Sequence, residues 1–223
     1  MRDLNTEIAS GPALALPDAI ALGPGLVVQG TRIRFEQNKE IFGEGERADY
    51  VYRVLSGAVR TVLFSADGRR QILAFHLPGD VLGLELGPNH SMSAEAVGPV
   101  EVAMIRRSLI DRATAEQPAA AKALMQLMSR QLESARQHAV VLGRKGAGER
   151  VASFLLQLAE RFACRREIDL PMSRADIADH LALTIETVSR AFTQMERERT
   201  IELPSSRHVV VRDRGALELL QAA

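Results

Sequence analysis

Apolar and polar positions change period twice along the chain, and each change marks a structural boundary. From about residue 22 to 110 the pattern is that of short strands. RIRFE alternates polar and apolar, while YVYRVL, AVRTVLF and QILAFHL are runs rich in β-branched and aromatic residues. Asp67-Gly68, between the last two runs, is suited to the positive φ angles of a tight hairpin. The segment LPGDVLGLELG adds Pro78-Gly79, Gly83 and Gly87, placed to turn corners or to bring backbone N–H groups near a ligand, with corner-turning preferred.

At Pro118, a residue suited to the first turn of a helix, the period lengthens. Ala121, Met125, Met128, Leu132, Ala135, Ala139 and Leu142 recur at spacings of four and three, a seam of 3.5 residues per turn. Such a helix is on the order of 37 Å long. Leu124 and Leu127 lie off the seam, so the helix is apolar on two faces and requires two partners: the β domain and a second copy of the chain. The plainer alternative is packing within one chain. GRKGAGER follows, with Gly143, Gly146 and Gly148 expected to break the helix and form a hinge. Val151, Phe154, Leu155, Leu158 and Phe162 then mark an amphipathic helix.

MSRADIADHLALTIETVSRAFTQMERER divides into two short helices joined by a turn. Ser173 is a cap for the first, with Asp176 three residues on; Leu183 anchors the turn and Thr184 caps the second. Ile177, Ala178 and Leu181 face inward, as do Val188, Ala191, Phe192 and Met195 at i, i+3, i+4 and i+7. Burying that stripe leaves Glu186, Ser189, Arg190, Thr193 and Arg197 outward, with Thr187 at the border. In a major groove Arg bonds guanine bidentately, Glu accepts from cytosine, and Ser or Thr meets a base edge, a thymine methyl or a phosphate. The competing reading is a solvated helix whose Glu186 and Arg190 form an i, i+4 pair worth about 0.3–0.5 kcal/mol. IEL and HVVV flank LPSSR as a hairpin, and Ser205, Ser206 and Arg207 at its tip, with Ser173, Arg174 and Thr184, are candidates for contacts to the DNA backbone or for support of the reading helix.

The expected fold is α+β: a flexible arm (1–21), a jelly-roll domain (22–115), a dimerisation helix (116–143) and a winged helix-turn-helix domain (144–217), its helix-turn-helix at 174–193. Charge counts mildly against the DNA reading. Lys+Arg and Asp+Glu both number 28, and residues 141–223 carry 13 against 12. Recognition must come from placement on a face.

No apolar run approaches the roughly 18 residues of a membrane span. PALALPDAIAL is broken by Pro17 and Asp18, unlike a secretory signal, so a cytoplasmic location is expected. The single Cys164, in the apolar stretch RFAC, reads as a buried inert thiol. No paired carboxylates, nucleophile elbow, phosphate loop or metal-ligand spacing points to an enzyme or a metal site. A cupin-like enzyme would need a His and carboxylate cluster that the chain lacks. Of the histidines, His138 and His180 read as surface or satisfied core residues, and His208 lies in the wing.

GEGERADYVYRVLSGAVR, SADGRRQILAFHLPGDVLG and MSRADIADHLALTIETVSRAF resemble the CRP/FNR superfamily of bacterial transcription regulators, nearest the FNR and FixK branch. The resemblance runs from about residue 22 to 215, and its E-T-V-S-R signature is specific for that branch. It implies a homodimer that binds double-stranded DNA and acts on RNA polymerase, commonly as an activator. The base readers would be Glu186, Ser189 and Arg190, directed at a TTGAT half-site in the palindrome TTGAT, four base pairs, ATCAA.

Three departures qualify the resemblance. Residues 1–30 lack the cysteines of the iron-sulfur members. The Gly-Glu and Arg-Ser that hold cyclic AMP are replaced by Gly83-Leu84 and His90-Ser91, with Glu85 displaced by one. Arg199 stands where relatives place a helix-ending Gly, so the start of the wing is expected to differ. No cofactor is therefore expected, and a FixK-type regulator, active without an effector and controlled by its abundance, is the preferred reading. A sensor of a small molecule or of haem, with His76 or His90 as axial ligand, is the alternative.

Overall fold

The computed structural model describes residues 8–10, 18–23, 26–162 and 166–222. Contacts divide the chain into two compact units: the chain up to Phe64 with Leu73–Ser134, and Ser65–Ile72 with Ala135 onward.

In the first unit, strands β1 (Ile8–Ser10), β2 (Ala19–Ala21) and β3 (Leu26–Gln29) form an antiparallel sheet in the order β1-β3-β2. The next strands are β4 (Thr31–Phe35), β5 (Glu40–Phe42), β6 (Tyr50–Ser56), β7 (Val59–Phe64), β8 (Arg70–His76), β9 (Val81–Leu82), β10 (Ser93–Ala96) and β11 (Val100–Arg106). They make two four-stranded sheets, β5-β10-β7-β8 and β4-β11-β6-β9. Phe42, Val59, Ala94 and Ala96 from one sheet meet Tyr52, Val54, Leu82, Val100 and Val102 from the other in one buried cluster. Alternation along β4 leaves every second residue exposed, as RIRFE requires.

The flexible arm expected over residues 1–21 instead contains β1 and β2. Apolar residues at 20, 22, 26 and 28 explain the difference. Ile20, Leu22, Leu26 and Val28 are buried against Ala103, Ile105, Ile110 and Ala120 in a second cluster. Gly30 allows this close approach, since a Cβ there would lie 2.7 Å from Ile105 Cγ1. The hairpin between β7 and β8 also departs from expectation. Only Gly68 has positive φ (79°), and Ser65 N–H donates to Arg69 O at 2.9 Å, so the turn spans more than the Asp67-Gly68 pair.

Helix α1 (Arg107–Glu116) leads into α2 (Pro118–Arg144), which begins at the expected proline. Leu124 packs on the second cluster, and Gln131 Nε2 donates to Val81 O at 2.6 Å. The expected glycine hinge shrinks to Lys145 and Gly146, because α3 (Ala147–Arg161) encloses Gly148. The turn is short because Glu149 accepts from Gly146 N–H at 3.1 Å, capping α3 at once. Val151, Phe154, Leu155 and Leu158 are buried, whereas Phe162, expected inward, lies 36% exposed just past the helix end, where the i+4 periodicity no longer applies.

The second unit continues with β12 (Glu167–Asp169), α4 (Arg174–Leu181), α5 (Ile185–Arg197), β13 (Ile201–Glu202), β14 (His208–Val211) and α6 (Arg214–Ala222). The sheet order β12-β14-β13 adds a strand to the expected wing hairpin. Arg150 on α3 joins the helix ends. Its guanidinium donates to Lys145 O and Leu142 O at 2.8 and 2.9 Å, and to Leu181 O at 2.9 Å. Carbonyls at the ends of α2 and α4 are thereby satisfied.

Cys164 lies outside the described residues. Ala182, past the end of α4, is left-handed (φ 51°, ψ 49°), and so is Arg199 (φ 59°), the residue at the glycine-like position. A Cβ in this region is strained, while glycine costs unfolded-state entropy. Ala182→Gly is therefore expected to stabilise the protein by about 0.5–1 kcal/mol. Urea unfolding checks it; a lower midpoint would contradict the strain assignment.

Candidate nucleic-acid interface

The helix-turn-helix is set by its caps. Ser173 Oγ accepts from Asp176 N–H at 3.1 Å while Asp176 accepts from Ser173 N–H at 3.0 Å, so two otherwise unpaired donors are satisfied reciprocally. Thr184 Oγ1 accepts from Thr187 N–H at 3.2 Å and starts α5. On α5, Val188, Phe192 and Met195 are buried and Ala191 half-buried. Glu186, Ser189, Arg190, Thr193 and Arg197 are all exposed on the remaining face.

The polar groups on the first turns are ordered. Thr184 Oγ1 and Thr187 Oγ1 lie 3.1 Å apart, and Arg190 Nη2 approaches Thr187 Oγ1 at 3.5 Å. The backbone amide of Glu186, the Thr184 hydroxyl and the Arg190 charge hold the Glu186 carboxyl below its ordinary pKa. At neutral pH it is an acceptor only, suited to a cytosine amino group. Sequence reasoning missed Ile185, an apolar side chain 48% exposed beside Glu186, whose chemistry suits a thymine methyl. Its position outside the buried stripe was the available signal.

The other candidates divide into exposed groups and supports. Arg174 lies with Cζ 3.2 Å from the Phe192 ring centroid, and burial pulls its pKa down to about 10. Its Nη1 is buried without a hydrogen-bond partner, so this guanidinium packs α4 on α5 instead of standing free. The Ser173 hydroxyl is likewise occupied by the cap. In the wing, Ser205 Oγ accepts from Arg207 and His208 N–H at 3.3 and 3.1 Å, ordering the tip where Ser206 and Arg207 are exposed. His208 Nδ1 meets Asp169 Oδ1 at 2.7 Å, and that carboxylate raises the imidazole pKa above its ordinary value.

Two further regions bear on function. Along α2, Met125 and Leu132 are 69% and 53% exposed, Ala135 and Ala139 are exposed, and Ala121, Met128 and Leu142 are half-buried. In the β-roll, His90 is buried, its ring 3.7 Å from that of Phe42 and its Nδ1 3.3 Å from Glu85 Oε2. His76 Nε2 lies 3.3 Å from Thr61 Oγ1. Among the described residues no group of three or more His, Cys, Asp or Glu is placed to hold a metal ion, and no helix is long and apolar enough to cross a membrane.

Comparison with known proteins agrees with this geometry. A Crp-like helix-turn-helix domain model matches residues 149–220 and a cyclic nucleotide-binding domain model matches residues 32–117. The nitrogen fixation regulation protein FixK of Azorhizobium caulinodans is 48% identical over 198 residues, covering 86% of this chain and 80% of that protein. The chain belongs to the CRP/FNR family. FixK of Rhizobium meliloti is 40% identical over 214 residues, covering 93% of this chain and 97% of that one. The structure of FixK2 from Bradyrhizobium japonicum superposes with a TM-score of 0.85 at 45% identity, covering 87% and 98% of the two chains. The chain is thus a DNA-binding transcription regulator of the FixK kind, and these relatives are regulators rather than enzymes.

As a CRP/FNR regulator, this chain is expected to need Arg190 at guanine. Arg190→Ala should weaken binding to a cognate site by about 1–3 kcal/mol and relax the preference at that base pair. Titrations against the cognate and guanine-substituted duplexes check this; unchanged discrimination would contradict the role.

Proposed function

We propose that the chain is a homodimeric transcription activator that reads TTGAT-N4-ATCAA-like palindromes without a bound effector. The observation that carries the reading is the face of α5. Glu186, Ser189 and Arg190 share one exposed surface because Val188, Phe192 and Met195 are buried on the other. Each of the three suits a base edge, and Thr184, Ser206 and Arg207 are available to hold the helix on the phosphates.

Dimerisation follows from α2. Met125 and Leu132 are large apolar side chains left exposed at spacings that suit a two-stranded seam, and the exposed Val140 widens it. Two-fold symmetry in the protein matches a palindrome in the DNA. Activation requires contact with RNA polymerase. A relative from Rhodopseudomonas palustris, 40% identical over 173 residues, is named a transcriptional activatory protein, which supports the direction of regulation. All of this takes place in the cytoplasm, where the DNA and polymerase are.

Effector independence is supported by the contents of the β-roll. Phe42, Tyr52 and His90 are buried in it, and Glu85 is engaged with His90. No arginine occupies the position beside Ser91 that would pair with a cyclic phosphate. The match of residues 32–117 to a cyclic nucleotide-binding domain favours a second reading, a regulator that requires a small ligand or haem in the same β-roll.

One experiment separates the two. Purified protein, in air with nothing added, is expected to shift a TTGAT and ATCAA palindrome and to lose that shift when both guanines are changed. Leu132→Glu is expected to sediment as a monomer and to bind the palindrome at least about 100-fold more weakly. Binding that appears only with cyclic AMP or haem would establish the sensor reading, and a fully dimeric Leu132→Glu would refute the seam.

A further inference from the structure

Ser65–Ile72, the turn after β7 together with the start of β8, belongs to the same compact unit as the helix-turn-helix, and its last three residues contact α4. Arg70 Nε donates to Asp179 Oδ2 at 2.8 Å, and its Nη2 lies 2.8 Å from Asp176 Oδ1 and 2.7 Å from Asp179 Oδ2. Gln71 Nε2 donates to His180 O at 3.4 Å. Ile72 O faces His180 Nδ1 at 3.1 Å; because a carbonyl only accepts, the Nδ1 must carry the proton. Burial depresses the His180 pKa to about 3, with the His138 ring stacked 4.0 Å away adding to the effect, so the imidazole is neutral and this donor is in place at neutral pH.

Arg70 is more than a surface partner. Its side chain is 24% exposed and that of Asp176 only 7%. Asp176 is also the carboxylate that accepts from Ser173 N–H at 3.0 Å and from Ser173 Oγ at 2.8 Å in the cap of α4. One guanidinium therefore neutralises the capping carboxylate and, one turn on, Asp179. Burial of Arg70 acts to lower its pKa, but the two aspartates outweigh this and raise it. Without Arg70, Asp176 would lose a cation 2.8 Å away while its side chain is only 7% exposed, a costly change that α4 would relieve by shifting or fraying. A shift would reach the reading helix, because Arg174 on α4 sits on Phe192 of α5, two residues after Arg190.

We propose that Arg70 is a positioning residue for DNA recognition: by clasping Asp176 and Asp179 it fixes α4, and through α4 the angle at which α5 presents Glu186, Ser189 and Arg190. The inference rests on the DNA-reading role proposed above. It assigns a function to a residue at the start of β8, remote in sequence from the helix-turn-helix.

The test uses full-length Arg70→Ala, Arg70→Lys and Asp179→Ala, and the Arg70→Ala/Asp179→Ala double variant. Asp179 is chosen because Asp176 also caps α4. Dimer content is checked by sedimentation, and affinity is measured on the palindrome and on its guanine-substituted form. Arg70→Ala is expected to bind the palindrome about tenfold more weakly and to narrow the ratio between the two duplexes, since a misplaced α5 loses base contacts before phosphate contacts. Arg70→Lys, which keeps the charge without the fork, should fall between, and the double variant should be no worse than Arg70→Ala. Amide hydrogen exchange, read without DNA, should accelerate in α4 of Arg70→Ala.

Unchanged affinity and selectivity in a folded, dimeric Arg70→Ala would overturn the proposal. So would a loss of affinity at constant selectivity, which marks plain destabilisation, or a gain, which marks a clasp that holds the head away from DNA. If wild-type protein ignores the palindrome, the function reading falls. Exchange in α4 then decides the clasp alone, and unaltered protection in Arg70→Ala refutes it.

Discussion

Burial of one stripe of α5 is the constraint on which the recognition surface depends. Val188, Phe192 and Met195 are each at most 2% exposed. Removing such side chains from water contributes on the order of 1.5–3 kcal/mol each, more than any exposed ion pair on the opposite side of the helix. The stripe therefore decides the rotation of α5 about its axis, and that rotation decides which residues meet solvent. Glu186, Ser189 and Arg190 owe their shared direction to apolar neighbours buried on the other side of the helix. The Thr184 cap fixes where the helix begins, which places this polar face on the opening turns, the part of a helix that enters a groove first.

Polar interactions inside the second unit serve the same end by holding helix termini. Arg150 satisfies carbonyls at the ends of α2 and α4, and Asp176 closes the cap at the start of α4. Arg174, over Phe192, uses its planar cation as packing surface. Arg150 and Arg174 are thereby taken up inside the unit, while Arg190 and Arg197 on α5 and Arg207 at the wing tip remain exposed.

What was legible in the sequence is what depends on local period and local capping. The alternation of β4, the start of α2 at Pro118, the caps at Ser173 and Thr184, and the stripe on α5 are all written in residues a few positions apart. The features that escaped are made by distant partners. Strands β1 and β2 are three residues each and exist because β3 lies between them. The strand β12 is defined by pairing with β14, about forty residues on. Arg150 and Arg70 look like ordinary surface cations until Leu181, Asp176 and Asp179 are placed beside them. The hinge was overread for a related reason: a glycine favours a break, but Gly148 follows a completed cap and is carried into α3. Within the site, the face of α5 was readable, whereas the different duties of Arg174 and Arg190 were not, because only the fold brings Phe192 under one and leaves the other in water.

The most direct measurement of the central claim is dimethyl sulfate protection on the saturated complex with the TTGAT and ATCAA palindrome, since this reagent methylates guanine N7 in the major groove. If Arg190 reads guanine there, the guanine of each half-site is protected by the wild-type protein and becomes reactive again in complexes of Arg190→Ala held at saturating concentration. Guanines that stay fully reactive within a saturated wild-type complex would contradict the account, because α5 would then not be reading that edge.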